Sequence, residues 1–301
     1  MSYAEHRKII DADSHVIELE DFLISAAKEE DKKIIPSMSS QKVLPVIEAG
    51  LERGKELFKK RQENPDVMAK FEEAILDNTK SGWNRVGAFD PSERSHAMDV
   101  FGYSIQWILP TFSFHQIAHS RDPKVLEVGS KTLNRAMAQF CKPDARLKAI
   151  GYVPLKLGPA KSLEIMKQGF DEGCYSFMID TNEPNDENIS FTHPDFDPIW
   201  NCFVDNQSPF VVHVAVNGHY KAVPDSFKNN GKSELELGGD APAGELGLMT
   251  INSSAELFLS AMIFDGVLER FPHLRIGVVE LGASWIISWM RHLDQSFRAF
   301  R

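Results

Sequence analysis

The chain has 301 residues, of which 43% are hydrophobic and 25% are charged, and its formal net charge is −10. This composition is typical of a soluble globular protein, and the length suits one large (β/α) barrel or two ordinary domains. The negative charge argues against nucleic acid as a partner, because phosphate binding requires clustered Lys and Arg side chains.

The first predicted strand, residues 8–13, runs from apolar into acidic side chains and is followed by His15. Because side chains alternate along a strand, Asp11, Asp13 and His15 are expected on one face. A carboxylate and an imidazole two residues apart at the C-terminal end of a strand can bind a divalent cation together. The alternative is that Asp13 or Ser14 caps a helix over residues 18–27, with His15 merely exposed.

A long insertion at residues 28–94, rich in Lys and Glu, separates the first two predicted strands. Its segments 46–60 and 66–77 have the apolar spacing of amphipathic helices with solvated charged faces. An insertion after the first strand of a barrel lies on the catalytic face. It could therefore cover a substrate pocket, or it could be a plain surface elaboration.

Apolar runs alternate with helical patterns from residue 104 onward, which predicts an α/β fold with a mainly parallel sheet. The predicted strands are 104–109, 147–153, 175–179, 210–214 and 276–279, and the predicted helices are 130–141, 159–172, 198–205, 254–271 and 284–300. The apolar stripe of the helix over 254–271 is expected to pack on the sheet. Its members are Leu257, Ala261, Phe264, Leu268 and Phe271.

Two further strand ends carry groups capable of chemistry. His213 follows an apolar run, and a buried histidine needs a hydrogen-bond partner or a metal. Glu280 follows the strand at 276–279 and is expected to point inward if Ile276 does. The glycine-rich segment 229–247 soon after His213 predicts a loop, which could be a lid that excludes water or an excursion without a role.

These residues resemble the amidohydrolase-related family of metal-dependent barrels, in the branch of aminocarboxymuconate-semialdehyde, resorcylate and carboxyvanillate decarboxylases. The resemblance covers nearly the whole chain and includes the segments 8–15, 103–111, 146–155, 193–200 and 268–280. It implies a TIM-type (β/α) barrel of the metal-dependent hydrolase kind.

The resemblance also implies a zinc or manganese ion bound by Asp13, His15 and His213. The first strand of the family usually carries two histidines, and Asp13 replaces the first of them, as in the branch with a carboxylate there. A carboxylate moves the preference from zinc toward manganese. Many members have a catalytic histidine where this chain has Glu280, so Glu280 and His213 are the predicted catalytic residues. Glu280 could instead be a ligand or a structural acceptor.

One element of the family pattern has no counterpart in this sequence. The family's last strand usually carries a metal-binding or proton-transferring aspartate in a Ser-Asp-x-Pro-His context, and no such segment exists here. Only six of the eight strands are accounted for, so residues 1–301 are expected to form a single partial barrel, incomplete at the C-terminus. Truncation, completion by a second chain and self-association are the alternatives, and truncation is favoured.

The predicted function is that of a metal-dependent hydrolase or carboxy-lyase acting on a small carboxylated or carbonyl substrate, by hydrolysis or non-oxidative decarboxylation. Arg85, Arg94 and His219 could bind a substrate carboxylate or could be surface groups. The alternative is a degenerate barrel without activity that acts as a binding or scaffold protein, or that needs a second chain.

Cysteine usage and hydropathy indicate the compartment. Cys141, Cys174 and Cys202 are widely spaced and odd in number, which suits buried thiols in a reducing environment. No secretory signal pattern and no run of about 18 apolar residues is apparent. We therefore expect a cytoplasmic protein with a small-molecule substrate, no membrane partner and possible homo-oligomerisation.

Overall fold

The computed structural model describes residues 3–38, 45–75, 85–181, 185, 188–214, 216, 221–228 and 244–300. The chain divides into two compact units. The first unit comprises Met1–Tyr152 and Ile165–Phe177, and the second comprises Val153–Glu164 and Met178–Arg301. Each unit is described separately.

The first unit contains the strands that begin the sheet and the helices that follow them. Its strands are β1 (Ile10–His15), β2 (Ile105–Leu109) and β3 (Leu147–Val153, of which the last residue belongs to the second unit). Its helices are α1 (Phe22–Ala26), α2 (Pro45–Glu63), α3 (Pro65–Glu73), α4 (Pro91–Phe101), α5 (Phe112–Ala118) and α6 (Pro123–Cys141). Strand β1 pairs in parallel with β2, and β2 pairs in parallel with β3.

The second unit continues the same pattern. Strand β4 (Ser176–Ile179) is shared between the units, and β5 (Pro209–Val212) pairs in parallel with β6 (Arg275–Val278). The helices after β3 are α7 (Pro159–Glu172, of which the part from Ile165 belongs to the first unit), α8 (Asp197–Asp205), α9 (Gly244–Met249), α10 (Ser253–Phe264), α11 (Val267–Arg270) and α12 (Ile286–Phe300). Short 3₁₀ turns occur at Leu155–Leu157, Pro194–Phe196 and Asp225–Lys228.

The strands follow one another in the sheet in the order β1-β2-β3-β4-β5-β6. Parallel strands joined in sequence by helices are the arrangement of a (β/α) barrel, and the described part of the chain contains six of the eight strands of such a barrel. The α/β fold of the TIM type, in incomplete form, is thus confirmed. Every strand lies within two residues of its predicted bounds, because buried parallel strands read as continuous apolar runs.

Strand β1 departs from the expected alternation. Its register against β2 shifts between Asp11 and Ser14, where a bulge places one extra residue. Asp11 accepts hydrogen bonds from the backbone N–H of Asp13 at 3.1 Å and from Nε2 of Gln106 at 3.0 Å. The expectation that Asp11, Asp13 and His15 share one face therefore does not hold across the bulge, because a bulge changes the direction of the side chains that follow it.

The predicted helix over 254–271 is interrupted. Gly266 has φ of 73°, a left-handed conformation that ends α10 and separates it from α11. The predicted apolar stripe is wrong in part, because Leu257 is 55% exposed. The buried residues of α10 are Ser254, Ala255, Phe258, Leu259 and Met262.

Helix α10 belongs to the one stretch in the described part of the chain that is long and apolar enough to cross a membrane by length and composition alone. This stretch, Glu245–Phe264, has 20 residues and a mean hydropathy of 1.3, and 28% of its most apolar window is buried. The stretch contains Thr250, Asn252, Ser253, Ser254 and Glu256, so it is not the uninterrupted apolar run that the sequence was expected to lack. The stretch is not one continuous helix, since α9 ends at Met249 and α10 begins at Ser253.

A buried ion pair anchors the insertion within the first unit. Arg61, near the end of α2, donates from Nε and Nη2 to the two carboxylate oxygens of Glu93 at 2.8 and 3.0 Å, and both side chains are fully buried. Glu93 also accepts from the backbone N–H of Gly87 at 2.7 Å. A Cβ atom at Gly87 would lie 2.6 Å from the Cα atom of Arg94, so any residue other than glycine would clash with the backbone at this position.

We expect Arg61→Met to reduce the free energy of unfolding by about 3–5 kcal/mol, because it leaves the Glu93 carboxylate buried without its cation. Urea unfolding followed by circular dichroism measures the change. The matched control is Lys55→Met, which removes a more exposed pair with Glu52 and should cost less than about 1 kcal/mol. The double variant Arg61→Met/Glu93→Leu should lose less than the sum of its single variants, and additive losses would contradict the pairing.

Candidate metal centre

Asp13 and His15 lie at the C-terminal end of β1 and face each other. Nε2 of His15 is 3.6 Å from Oδ1 of Asp13, and both side chains are partly exposed. This separation is too long for a good hydrogen bond and lies within the range of about 3–4.5 Å expected between two ligands of one cation. The pair predicted from the first strand is therefore formed.

The hydrogen bonds of Thr111 assign the tautomer of His15. The Thr111 hydroxyl donates to the carbonyl oxygen of Val16 at 2.8 Å, so its oxygen acts as the acceptor for Nδ1 of His15 at 3.1 Å. In a neutral ring this network places the proton on Nδ1 and leaves the lone pair on Nε2, the nitrogen that faces Asp13. Histidines that bind metals are commonly held in this way.

Glu18 holds the loop that carries Thr111. Its carboxylate is completely buried and accepts from the backbone N–H groups of Thr111 at 2.8 Å and Phe112 at 2.9 Å, and also from the hydroxyl of Ser113. It therefore caps the first turn of α5 in place of a local side chain. Burial raises the pKa of Glu18, and the hydrogen bond from Ser113 opposes this rise.

Arg94 holds the backbone on the other side of the pair. It donates to the hydroxyl oxygen of Ser14 at 2.8 Å, to the carbonyl oxygen of His15 at 2.5 Å and to that of Gly87 at 2.6 Å. Burial lowers the pKa of Arg94 to about 10. Arg94 is thus neither a surface group nor placed to bind a substrate carboxylate, because its guanidinium is committed to the protein.

The alternative of a helix cap at the end of β1 is wrong. Helix α1 begins at Phe22 with Asp21 as the preceding residue, several positions beyond Asp13 and Ser14. Ser14 is buried and its hydroxyl oxygen accepts from Arg94. The polar residues after β1 are therefore used by tertiary contacts and do not start a helix.

In the second unit, His213 and Glu280 form a close pair. His213 directly follows β5 and is 8% exposed, and its Nε2 lies 2.9 Å from Oε2 of Glu280. Its Nδ1 lies 2.8 Å from the carbonyl oxygen of Val214, which can only accept, so Nδ1 carries a proton. A neutral imidazole has no second proton for Glu280. The contact between Nε2 and the carboxylate therefore requires a further proton or a cation.

The backbone of Glu280 is in an unusual conformation. Its φ of 56° lies in the left-handed region, which costs energy for a residue with a side chain as long as glutamate. The preceding residue still belongs to the sheet, since Val279 donates to the carbonyl oxygen of Val212 at 3.0 Å. The chain turns sharply at Glu280, and this turn accompanies the contact of its carboxylate with His213.

A further acidic residue at a strand end was missed in the sequence. Asp180 directly follows β4, is 3% exposed and accepts from the backbone N–H of Lys156 at 3.3 Å. The signal was an apolar strand that ends in an acid, the same pattern that drew attention to Asp13. Thr111 and Glu18 were also missed, because their roles depend on contacts over more than 90 positions of sequence.

The structure says less about the other groups predicted from the sequence, which are Arg85, His219 and the glycine-rich segment. Arg85 is exposed at the end of the insertion, and its carbonyl oxygen accepts from Arg61 at 3.3 Å. His219 lies outside the described residues, as does most of the glycine-rich segment 229–247, of which only the part belonging to α9 is described.

Solved structures with the same fold are amidohydrolases and decarboxylases. An amidohydrolase from Mycobacterium avium subsp. paratuberculosis K-10 matches with a TM-score of 0.63 and 16% identity, over 98% of this chain and 77% of that one. A 5-carboxyvanillate decarboxylase from Novosphingobium aromaticivorans DSM 12444, complexed with manganese and 4-hydroxy-3-methoxy-5-nitrobenzoic acid, matches with a TM-score of 0.57 and 18% identity, over 99% and 72%.

A third structure is a dihydroxybenzoic acid decarboxylase from Polaromonas sp. JS666 with bound manganese and the inhibitor 2-nitroresorcinol, with a TM-score of 0.50 and 10% identity, over 90% of this chain and 64% of that one. No protein-family model matches the chain, and no curated protein sequence matches it. At these identities the comparisons show the fold, which is that of metal-dependent amidohydrolases and decarboxylases.

Proposed function

We propose that this chain is a divalent-metal-dependent enzyme of the amidohydrolase-related family, with Asp13, His15 and His213 as ligands and Glu280 as the catalytic acid. The observation that carries the proposal is the state of the two histidines. Each has its Nδ1 engaged by an oxygen acceptor and its Nε2 directed at a carboxylate. Such a histidine presents a lone pair to a cation in a fixed orientation.

The donor set fits a divalent cation of intermediate hardness. Two imidazoles suit zinc, manganese and iron, and two carboxylates favour the harder members of this group. The charges also fit, because the Asp13 carboxylate is negative and the two imidazoles are neutral, so a bound divalent cation keeps a positive charge for a substrate carboxylate. Two similar structures contain manganese, which supports manganese over zinc for this chain.

The reaction that we propose is non-oxidative decarboxylation of a small aromatic carboxylate. The named ligands of the manganese-containing structures, a nitrobenzoic acid and a nitroresorcinol, support an aromatic substrate. When bound, the cation would hold the substrate's carboxylate and an adjacent oxygen and stabilise negative charge there. The carbon–carbon bond to the carboxylate breaks, carbon dioxide leaves, and the ring carbon gains a proton.

We assign the supply of that proton to Glu280. Its side chain is 50% exposed, so it can be reprotonated from solvent after each turnover. His213 is oriented by the carbonyl oxygen of Val214, which accepts from its Nδ1, so that its Nε2 can bind the cation. Asp13 and His15 bind and orient without transferring a proton. Hydrolysis by the same groups is the second candidate, supported by the TM-score of 0.63 with the amidohydrolase.

We expect the purified chain to bind about one equivalent of Mn²⁺, and His15→Asn and His213→Asn each to lose it, because each removes a ligand nitrogen. Metal analysis after equilibrium dialysis measures this. His273→Asn, at an exposed position, is the matched control and should bind as the parent does. Stoichiometric Mn²⁺ in either ligand variant would contradict the assignment of that histidine.

Thr111→Val should weaken the binding of Mn²⁺ by about 10–100-fold, because the Nδ1 proton of His15 loses its acceptor and the ring is no longer held. Thr111→Ser keeps the hydroxyl and should bind nearly as tightly as the parent. A nitrogen NMR spectrum of the metal-free protein reports the tautomer of His15 independently of any activity. An unchanged Nδ1–H tautomer and an unchanged affinity for Mn²⁺ in Thr111→Val would show that Thr111 does not orient His15.

The reaction itself is tested with Mn²⁺-loaded protein and two aromatic acids, 5-carboxyvanillate and 2,6-dihydroxybenzoate, by measuring released carbon dioxide. Glu280→Gln should keep the metal and lower kcat by about 10²–10⁴-fold, because the amide cannot donate a proton in the same way. His193→Gln, with an exposed histidine, is the control. Full activity in Glu280→Gln would exclude Glu280 as the acid, whereas hydrolysis of an ester or amide probe without decarboxylation would favour the second candidate.

A further inference from the structure

Two histidines of the first unit form a pair that the candidate metal centre does not use. His115 lies in the last turn of α5, and His119 is the residue that follows this helix. Nδ1 of His115 is 2.9 Å from Nε2 of His119, and the rings are stacked with centroids 5.0 Å apart and planes at 11°. Positions i and i+4 of a helix lie on the same face, which brings the two rings together.

A buried aromatic side chain supports this pair. Phe114 is 4% exposed and presents its ring edge-on to His115 at 5.5 Å and to His119 at 6.2 Å. Phe114 is in turn packed edge-on against the fully buried Tyr152 at 5.1 Å. The pair is therefore backed by the core of the unit, while His119 itself is exposed and accessible from solvent.

The facing nitrogens are 2.9 Å apart, which is a hydrogen-bond length in the metal-free pair and is also compatible with two ligands of one cation. With metal–nitrogen bonds of about 2.05 Å, two ligands at 90° have nitrogens about 2.9 Å apart, and two ligands at the tetrahedral angle have nitrogens about 3.3 Å apart. Two ligands in adjacent positions of a square-planar or tetragonal ion could therefore bind with little movement of the two rings. Nitrogen ligands in that geometry are typical of Cu²⁺ and Ni²⁺.

We propose that His115 and His119 form a second metal site, for a tetragonal divalent ion of the Cu²⁺ or Ni²⁺ class, with water in the other positions. The pair shares no residue with the site assigned to Asp13 and His15, and the proposal does not rest on the enzymatic function. In the neutral pair one N–H lies between the two facing nitrogens. On binding, that proton moves to the distal nitrogen of its own ring, so both facing nitrogens donate lone pairs and no net proton is released.

Electron paramagnetic resonance of Cu²⁺ titrated into the full chain tests the site. The background is the double variant His15→Asn/His213→Asn, so that copper in the first centre cannot be mistaken for the pair. We expect a tetragonal copper signal with hyperfine splitting from two nitrogens. His115→Gln and His119→Gln, each introduced into this background, should weaken binding by about a hundredfold, because a bidentate site becomes monodentate.

The control is His273→Gln in the same background, which removes an exposed histidine elsewhere. It should leave the copper affinity and the signal unchanged. His119 follows the helix and is exposed, so His119→Gln should leave the far-ultraviolet circular dichroism unaltered and the variant remains interpretable. Copper binding that survives both His115→Gln and His119→Gln, or a signal with a single nitrogen, would overturn the proposal. The absence of copper binding from the double-variant background would also overturn it, whatever the outcome for Mn²⁺ at the first centre.

Discussion

The hydrogen bond between Nδ1 of His15 and the hydroxyl of Thr111 is the contact on which the arrangement of the first unit depends. It joins the end of β1 to Thr111, the second residue after β2, and it fixes which nitrogen of His15 is available. It is effective only because both partners are held. Thr111 is held by Glu18 and by the carbonyl oxygen of Val16, and the backbone of His15 is held by Arg94. A histidine that is held in one orientation thus requires hydrogen-bond partners around it, and burying these polar groups costs free energy.

This shell explains why the insertion matters to the site. Arg94 belongs to α4, at the end of the insertion, and Glu93 beside it forms the buried pair with Arg61 of α2. The helices of the insertion are thereby connected, through adjacent residues of α4, to the backbone of His15. The insertion thus supports the backbone at the end of β1, a role that the sequence pattern of a charged surface helix did not suggest. A roof over the substrate pocket remains a prediction.

The strands and their polar ends could be predicted from the sequence because both signals are local. Apolar runs of four to seven residues define β1 to β6, and Asp13, His15, His213 and Glu280 stand where these runs stop. Two irregularities, the bulge in β1 and the separation of α10 from α11, could not be predicted in the same way. The bulge in β1 depends on its register with β2, and the role of Gly266 depends on a left-handed conformation that glycine permits but does not require. Glu18 lacks any local signal, because its partners begin 93 positions later.

Charge balance decides which protonation state of Glu280 suits the proposed metal centre. A site with two neutral imidazoles and Asp13 alone would carry one negative charge, and a divalent cation would leave one positive charge for the substrate carboxylate to neutralise. If Glu280 is ionised, the two carboxylates already neutralise the bound cation, and the cation then attracts a substrate anion less strongly. If Glu280 is protonated, the site attracts the carboxylate and holds the acid that decarboxylation needs. Oε2 of Glu280, on a residue with a left-handed backbone, lies 2.9 Å from Nε2 of His213, so in the proposed centre a protonated Glu280 stands next to a ligand nitrogen and can serve as the acid.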